Sequence, residues 1–296
     1  MNISPAALAL NIANFRSQAL NAFLSSPKGV KGGDGESAMF SLPMSDSEVA
    51  APLSALTQGG SVKGLSSTGR NMSLFDPDSA FKMMSVINDR DVTYKAQFAE
   101  LSKMQAEVAQ MQNAGQSLGG ITAVTGNDSI QSQLQGFVDH YNQWVQQFNP
   151  DMEKGGLLAN TQAAQISRYE LSQSIENSFN GAMKGLHGLR DLGISIDHAT
   201  KLATLDTSKL NAVLSANKEG VVDTVQEFSA NFAKSAKLLN SDGNFIPSQL
   251  KNLNKAIHYI TDNKVDLQAE FGTGNVVKPT GQVALALAAY NRVYGI

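Results

Sequence analysis

The chain has 296 residues, 42% hydrophobic and 17% charged, with 23 basic side chains against 26 acidic ones for a formal net charge of -3. This length allows one large domain or two small ones, and the near balance of charge gives no electrostatic reason to bind nucleic acid or an anionic membrane. The absence of cysteine excludes disulfides, thiol nucleophiles and thiolate metal sites, and no run reaches the roughly 18 apolar residues of a membrane-spanning helix.

Ser4-Pro5 pairs an N-cap with a proline at the first helical position, and Leu8, Ile12, Phe15, Ala19 and Phe23 follow at helical spacing. Residues 1–24 are therefore expected to form an amphipathic helix, with Leu8, Ile12, Phe15 and Phe23 as a face for docking on a partner. Asn14, Arg16, Ser17 and Gln18 interrupt its apolar stretch and no basic residue precedes it, so it is a poor secretory signal peptide. Export would need a route that cleaves no such signal. Residues 25–75 turn to Ser, Gly and Pro, with Gly32-Gly33, Gly59-Gly60 and Ser66-Ser67 among them. Without a lasting period this stretch cannot bury enough apolar surface to offset its ordering entropy, and it reads as a flexible linker.

Asp76-Pro77 opens a long helix in which Ala80, Ile87, Tyr94, Leu101 and Val108 recur every seven residues, flanked by Met84, Phe98, Met104 and Met111. Gly115 reads as its stop. About 38 residues at 1.5 Å each would span roughly 57 Å, and a heptad over that length calls for a partner helix. After the glycines at 119, 120 and 126, Asp128 and Gln131 stand at capping-box spacing. Ile130, Leu134, Phe137, Tyr141, Trp144 and Phe148 then make an amphipathic helix closed by Asn149-Pro150. A further helix is expected from about Thr161 to Lys184, with Ala164, Leu171, Ile175 and Phe179 on one side.

The helical period then fails. Ile194 and Ile196 alternate with Ser195, and Lys201 to Leu205 alternates again around Leu202 and Leu205, the pattern of a short β-hairpin. Asp206 can cap a helix bearing Leu210, Val213 and Leu214, and Asn217 a second bearing Val221, Val225, Phe228 and Phe232. Past the turn at Ser241-Asp242-Gly243, Leu250, Leu253, Ile257, Ile260 and Leu267 mark another heptad helix ending at Phe271. Lys264 is the misfit on that seam, its stem able to snorkel outward. Gln282 to Tyr294 reads as a short apolar helix. The fold expected is mainly α with a small β-hairpin, combining long antiparallel coiled-coil helices with a helical bundle domain. Ile87, Tyr94, Leu101, Val108, Leu253, Ile257 and Ile260 are the candidate seam.

The segment Leu192 to Phe228 resembles the C-terminal region of the flagellar hook-associated protein 2 family, the filament cap. The family pattern falls on Leu192-Gly193-Ile194, Leu202 to Asp206, Lys209-Leu210, Leu214, Asn217 and Val225 to Phe228. Phe137-Val138-Asp139 with Tyr141-Asn142, Gly156 to Asn160, and Ile246 to Phe271 are similar to further family segments in the same order. Tyr94-Lys95-Ala96-Gln97 resembles the family's first long helix less specifically. The likeness runs from about Asp76 to Phe271, with residues 272–296 as an unrelated helical tail. It departs from the family in lacking a Gly-Leu-Gly-Ser-Gly motif, in a short loop at Gly115 to Gly126 where full-length caps insert outer domains, in a final coiled coil that stops at Phe271, and in a hairpin turn without glycine.

No catalytic, cofactor or metal site is expected. His140, His187, His198 and His258 are scattered without ligand spacing, and Asn240 to Asn244 lacks the glycine position and the final Glu of a calcium loop. Trp144 and its aromatic neighbours read as core or seam, the methionines at 83, 84, 104 and 111 as seam filling, and Asp89, Arg90 and Asp91 as a solvated face. The resemblance implies a non-enzymatic flagellar structural protein, exported to the extracellular flagellum. It would assemble with itself and with flagellin or hook-associated proteins. The other reading is a repurposed cytoplasmic binding protein, regulator or export chaperone of the flagellar system, docking through its N-terminal helix.

Overall fold

A computed structural model of the chain describes residues 76–178 and 185–294. The expected N-terminal helix with Leu8, Ile12, Phe15 and Phe23, the linker of residues 25–75, and Phe179 lie outside the described residues. Within them the chain is mainly α-helical with one small antiparallel hairpin.

Helix α1 (Pro77–Ser117) is 41 residues long, about 62 Å at 1.5 Å per residue. Asp76 starts it by accepting from the Asp78 and Ser79 amides, and Pro77 supplies the preset φ of a first helical residue. Gly115 does not stop the helix. The chain stays helical to Ser117 and tightens into a short turn at Leu118–Gly120. A Cβ at Gly115 would lie 2.3 Å from Cδ1 of the buried Phe232, so glycine is required here for close approach. The last carbonyls are taken by a neighbouring helix, with Ser229 Oγ donating to Gln116 O at 3.3 Å.

Helix α2 (Asn127–Met152) begins after Gly126 with no side-chain cap, so the expected Asp128–Gln131 box does not form. Asp128 sits inside the first turn, where its charge still favours the helix N-terminus. Pro150 lies within the helix instead of closing it; the chain turns out two residues later, where Glu153 N–H donates to Asn149 O at 3.0 Å. Helix α3 (Gln162–Glu176) ends well short of Lys184 and buries Ala164, Leu171 and Ile175. Strands β1 (Ile194–Ile196) and β2 (Ala203–Leu205) pair with Ile194 opposite Leu205 and Ile196 opposite Ala203.

Helix α4 (Thr207–Leu239) spans the two helices expected after the hairpin. The junction survives as a kink, since Asn217 has φ -152° and ψ 64° while its side chain accepts from Gly220 N–H at 3.0 Å. The reverse happens downstream, where one expected helix becomes α5 (Phe245–Asp262) and α6 (Lys264–Phe271). Asn263 divides them, its amide donating to Tyr259 O at 2.8 Å and so competing for a helix carbonyl. Lys264 thus opens a new helix in solvent and does not interrupt a seam. Helix α7 (Gly281–Tyr294) completes the described chain.

These helices are arranged along α1. Asn240 Nδ2 donates to Gln105 O while Ser229 reaches Gln116, so α4 runs antiparallel to α1. Helices α5 and α6 continue in the same direction, ending where Ile260, Leu267 and Phe271 pack on Ala80, Met84 and Ile87. The larger core joins the second half of α1 with α2, α3, the hairpin, α4 and the start of α5. Phe137 of α2 meets Phe228 and Phe232 of α4 edge-on, with ring centroids 5.2 and 5.0 Å apart. Trp144, Tyr141 and Phe148 are buried in the same core, as are Met104 and Met111, while Met84 is buried in the smaller cluster.

Gly115→Ala is expected to lower stability by about 1–3 kcal/mol, the cost of forcing a methyl into a filled core. Denaturant midpoints measure it, and Phe232→Leu in the Gly115→Ala background should recover part of the loss. A neutral Gly115→Ala would show that α1 and α4 do not approach as closely as the geometry requires.

Candidate assembly surfaces

The candidate seam divides between the two clusters that line α1. Leu101 and Val108 are fully buried in the larger core, where Leu253 joins them, and Ile87 and Ile260 are buried in the smaller one. Ile257 is buried on the same face of α5. Tyr94 is half-buried and packs against both clusters, so it bridges them. The heptads of α1 and α5 therefore close against each other within a single chain.

Ile194, Ile196 and Ala203 bury the hairpin in the larger core, and one polar side chain pins it to α2. Asn142 of α2 donates from Nδ2 to Ala203 O at 2.9 Å and accepts at Oδ1 from Ala203 N–H at 2.7 Å. It presents to the free side of β2 the donor and acceptor that another strand would offer. The two strand ends then converge on Asp206. Gly193 has φ 93°, and a Cβ there would stand 2.7 Å from Asp206 O; its own carbonyl accepts from Asp206 N–H at 2.9 Å. Asp206 caps α4 by accepting from Lys209 N–H at 3.0 Å, while Lys209 Nζ reaches Arg190 O at 2.7 Å. At the hairpin tip Asp197 Oδ1 accepts from the Ala199 and Thr200 amides and from the Thr200 hydroxyl. The Thr200 hydrogen bonds hold its carboxyl below the usual range. The glycine missing from this turn is replaced by Lys201, which adopts φ 63°.

Charge is buried in two places the sequence reading assigned to solvent or left unassigned. Asp91, expected on a solvated face, is half-buried and accepts from Lys95 Nζ at 2.8 Å. Asp151 is 2% exposed, and its Oδ1 has no hydrogen-bond partner among the described residues. Burial raises the pKa of Asp151 and of the neighbouring Glu100, with Lys103 pulling both back down. Lys103 also stands 5.7 Å from the centre of the Phe148 ring. No sequence period marks Asp151, because its burial comes from the fold-back of residues 153–161 over the end of α2. Leu158 N–H donates to Asp151 O at 2.8 Å, and Gln97 of α1 donates to Leu157 O at 3.0 Å.

Among the described residues no three His, Asp or Glu side chains converge on a metal position, and no helix is long and apolar enough to cross a membrane. Two shallow polar concavities lie on the outer face of α2 and between the ends of α3 and α4. What the chain builds instead is extended helix contact.

These features define a mainly α-helical protein with one small β-hairpin among the described residues. The family model for the flagellar hook-associated protein 2 C-terminus matches residues 115–273, more than half of the chain, and the chain belongs to that family. The match begins at Gly115, so Tyr94-Lys95-Ala96-Gln97 and the seam residues Ile87, Tyr94, Leu101 and Val108 precede it. No curated protein and no solved structure matches the chain.

Asn142→Ala should cost about 2–4 kcal/mol, because it strands the buried N–H and C=O of Ala203. A loss within the roughly 0.5 kcal/mol scatter of surface substitutions would show that the hairpin is held elsewhere. Asp151 has a second, pH-dependent signature. Its raised pKa stabilises the fold below the unfolded-chain value, and that contribution disappears as pH rises through the folded pKa. Asp151→Asn, which cannot ionise, should therefore gain on the native chain near neutral pH and lose that advantage towards about pH 4. Parallel denaturant midpoints across the range would contradict the assignment.

Proposed function

We propose that the chain is an assembly component of the bacterial flagellum, exported without a cleaved signal and incorporated by packing against its own copies and against flagellin or hook-associated proteins. The observation that carries this reading is the position of the family match, which covers the hairpin, α4 and the α5–α6 track. The motif residues Asn142, Gly193 and Asp206 fix how these elements meet. A body held this way supports a mechanical role, since it offers long helix surfaces and no convergent polar site among the described residues.

In the same reading residues 1–24 serve as a docking helix, with Leu8, Ile12, Phe15 and Phe23 inserted into a partner groove. Residues 25–75 tether it to the body formed by residues 76–271. The candidate seam secures that body, which leaves the exposed faces of α1 and α7 for contacts between copies.

The test is fractionation of the native host into cells, medium and sheared flagella, followed with an antibody to this chain. Recovery with the sheared or medium fraction, lost when flagellar export is disabled, is the expected result. Recovery in the cytosol alone would overturn the export reading and favour an intracellular partner of the flagellar system.

A further inference from the structure

Asp151 is the only Asp, Glu, Lys or Arg among the described residues that is fully buried, at 2% exposed. It stands in the last turn of α2, where the free helix carbonyls disfavour a negative charge. The Leu157 amide donates to its carboxyl, but Oδ1 has no partner among the described residues. Ionised, this side chain holds a poorly compensated charge away from water; protonated, it carries none. Burial outweighs the pull of Lys103 and Leu157, so the carboxyl keeps its proton above the ordinary range.

A second carboxyl stands across the joint between α2 and α1. The Glu100 side chain is only 14% exposed, Lys103 Nζ lies 3.5 Å from its Oε1, and the charge of Asp151 is felt there. Lys103 is the cation that acts on both carboxyls, and its own side chain is half in water. The other charged groups nearby are engaged elsewhere or solvated. Glu153 pairs with Arg168 of α3 at 3.1 Å, Arg168 Nη1 also reaches Asn149 Oδ1 at 3.2 Å, and Lys154 is exposed. One half-solvated ammonium thus serves two enclosed carboxyls, the arrangement in which a pair retains one proton.

What the pair lies beneath is the fold-back of residues 153–161. Gly156 comes so close to the end of α2 that a Cβ would lie 2.4 Å from Asp151 O, and Leu158 is fully buried. Gln97 and Gln165 donate to its carbonyls at Leu157 and Ala159, at 3.0 and 3.1 Å, through bonds that no pH change removes. We propose that Glu100, Lys103 and Asp151 form a proton-operated latch: with one proton on the carboxyl pair, residues 153–161 close over the joint between α1 and α2, and loss of that proton opens them and uncovers Leu158. The closed form holds the proton more tightly than the open one. The latch is therefore shut below the ordinary carboxylate value of about 4 and loses its hold as pH rises through the raised value. Between the two, the open population grows by up to about tenfold per pH unit for each proton released. This inference does not depend on the flagellar reading.

Hydrogen exchange of the full-length chain from about pH 4 to about pH 8, corrected for the intrinsic pH dependence of exchange, reads the opening. Protection at the Leu157 and Leu158 amides should fall at least about tenfold across this range, while Leu134 and Val138 in the middle of α2 hold theirs. Asp151→Asn and Glu100→Gln should each flatten that fall. Carbon-detected NMR gives an independent reading. Glu100→Gln should return the Asp151 carboxyl toward the ordinary range, and Asp151→Asn should do the same for Glu100. Equal loss of protection throughout α2 would overturn the local latch and leave only a global contribution from Asp151. Flat protection at Leu157 and Leu158, or carboxyls that titrate alike whether or not the other is present, would overturn the shared proton.

Discussion

A 41-residue helix with one apolar stripe is not a stable object in water, and the architecture follows from the need to cover α1. One partner of equal length would suffice, but the chain assembles the cover from α4, α5 and α6, which run antiparallel along α1 as successive pieces. Piecewise covering requires that each piece approach closely at its own register. At the upper end this is achieved by Gly115, which lets the Phe232 ring rest on the α1 backbone, and by Asn240, which bonds Gln105 O. At the lower end the cover thins to a small cluster around Met84, Ile87 and Phe271, with Tyr94 packed against both this cluster and the main core. The two ends therefore differ in how much apolar contact resists opening.

The hairpin makes this arrangement possible although it contains only two three-residue strands. Two strands this short are not stable alone. Asn142 supplies the pairing a third strand would have provided, and Asp206 links the close of the sheet to the start of α4. The direction in which α4 leaves the hairpin, and hence its antiparallel course along α1, depends on this junction. Gly193, Asp206 and Lys209 each contact backbone at this junction, and a side chain at Gly193 would collide with Asp206 O.

What was legible in the sequence was periodic. The heptads of α1 and α5, the switch to alternation at Ile194, and the Asp76 and Asp206 caps all depend on local spacing, and local spacing is written in the chain. Misreadings occurred where a residue's meaning is decided by something distant. Gly115 looks like a stop until Phe232, 117 positions later, is seen against it. Asn263, inside an uninterrupted apolar period, breaks a helix by taking the Tyr259 carbonyl. Asp91 looks like a surface acid, and packing half-buries it beside Lys95. The role of Asn142 has no local signature, since its partner Ala203 lies 61 residues away. The docking helix and linker fall outside the described residues, so the candidate face at Leu8, Ile12, Phe15 and Phe23 rests on sequence spacing alone.

The seam and the outer surface answer different physical demands. A seam of fully buried Leu101 and Val108 cannot serve an interface that forms and dissolves, because opening it would expose the core. A contact between copies must use apolar surface that a folded monomer can leave in water without unfolding. Leu285 and Val293 of α7 are exposed among the described residues while Ala286 and Tyr290 on the same helix are buried, so α7 holds to the body through few side chains.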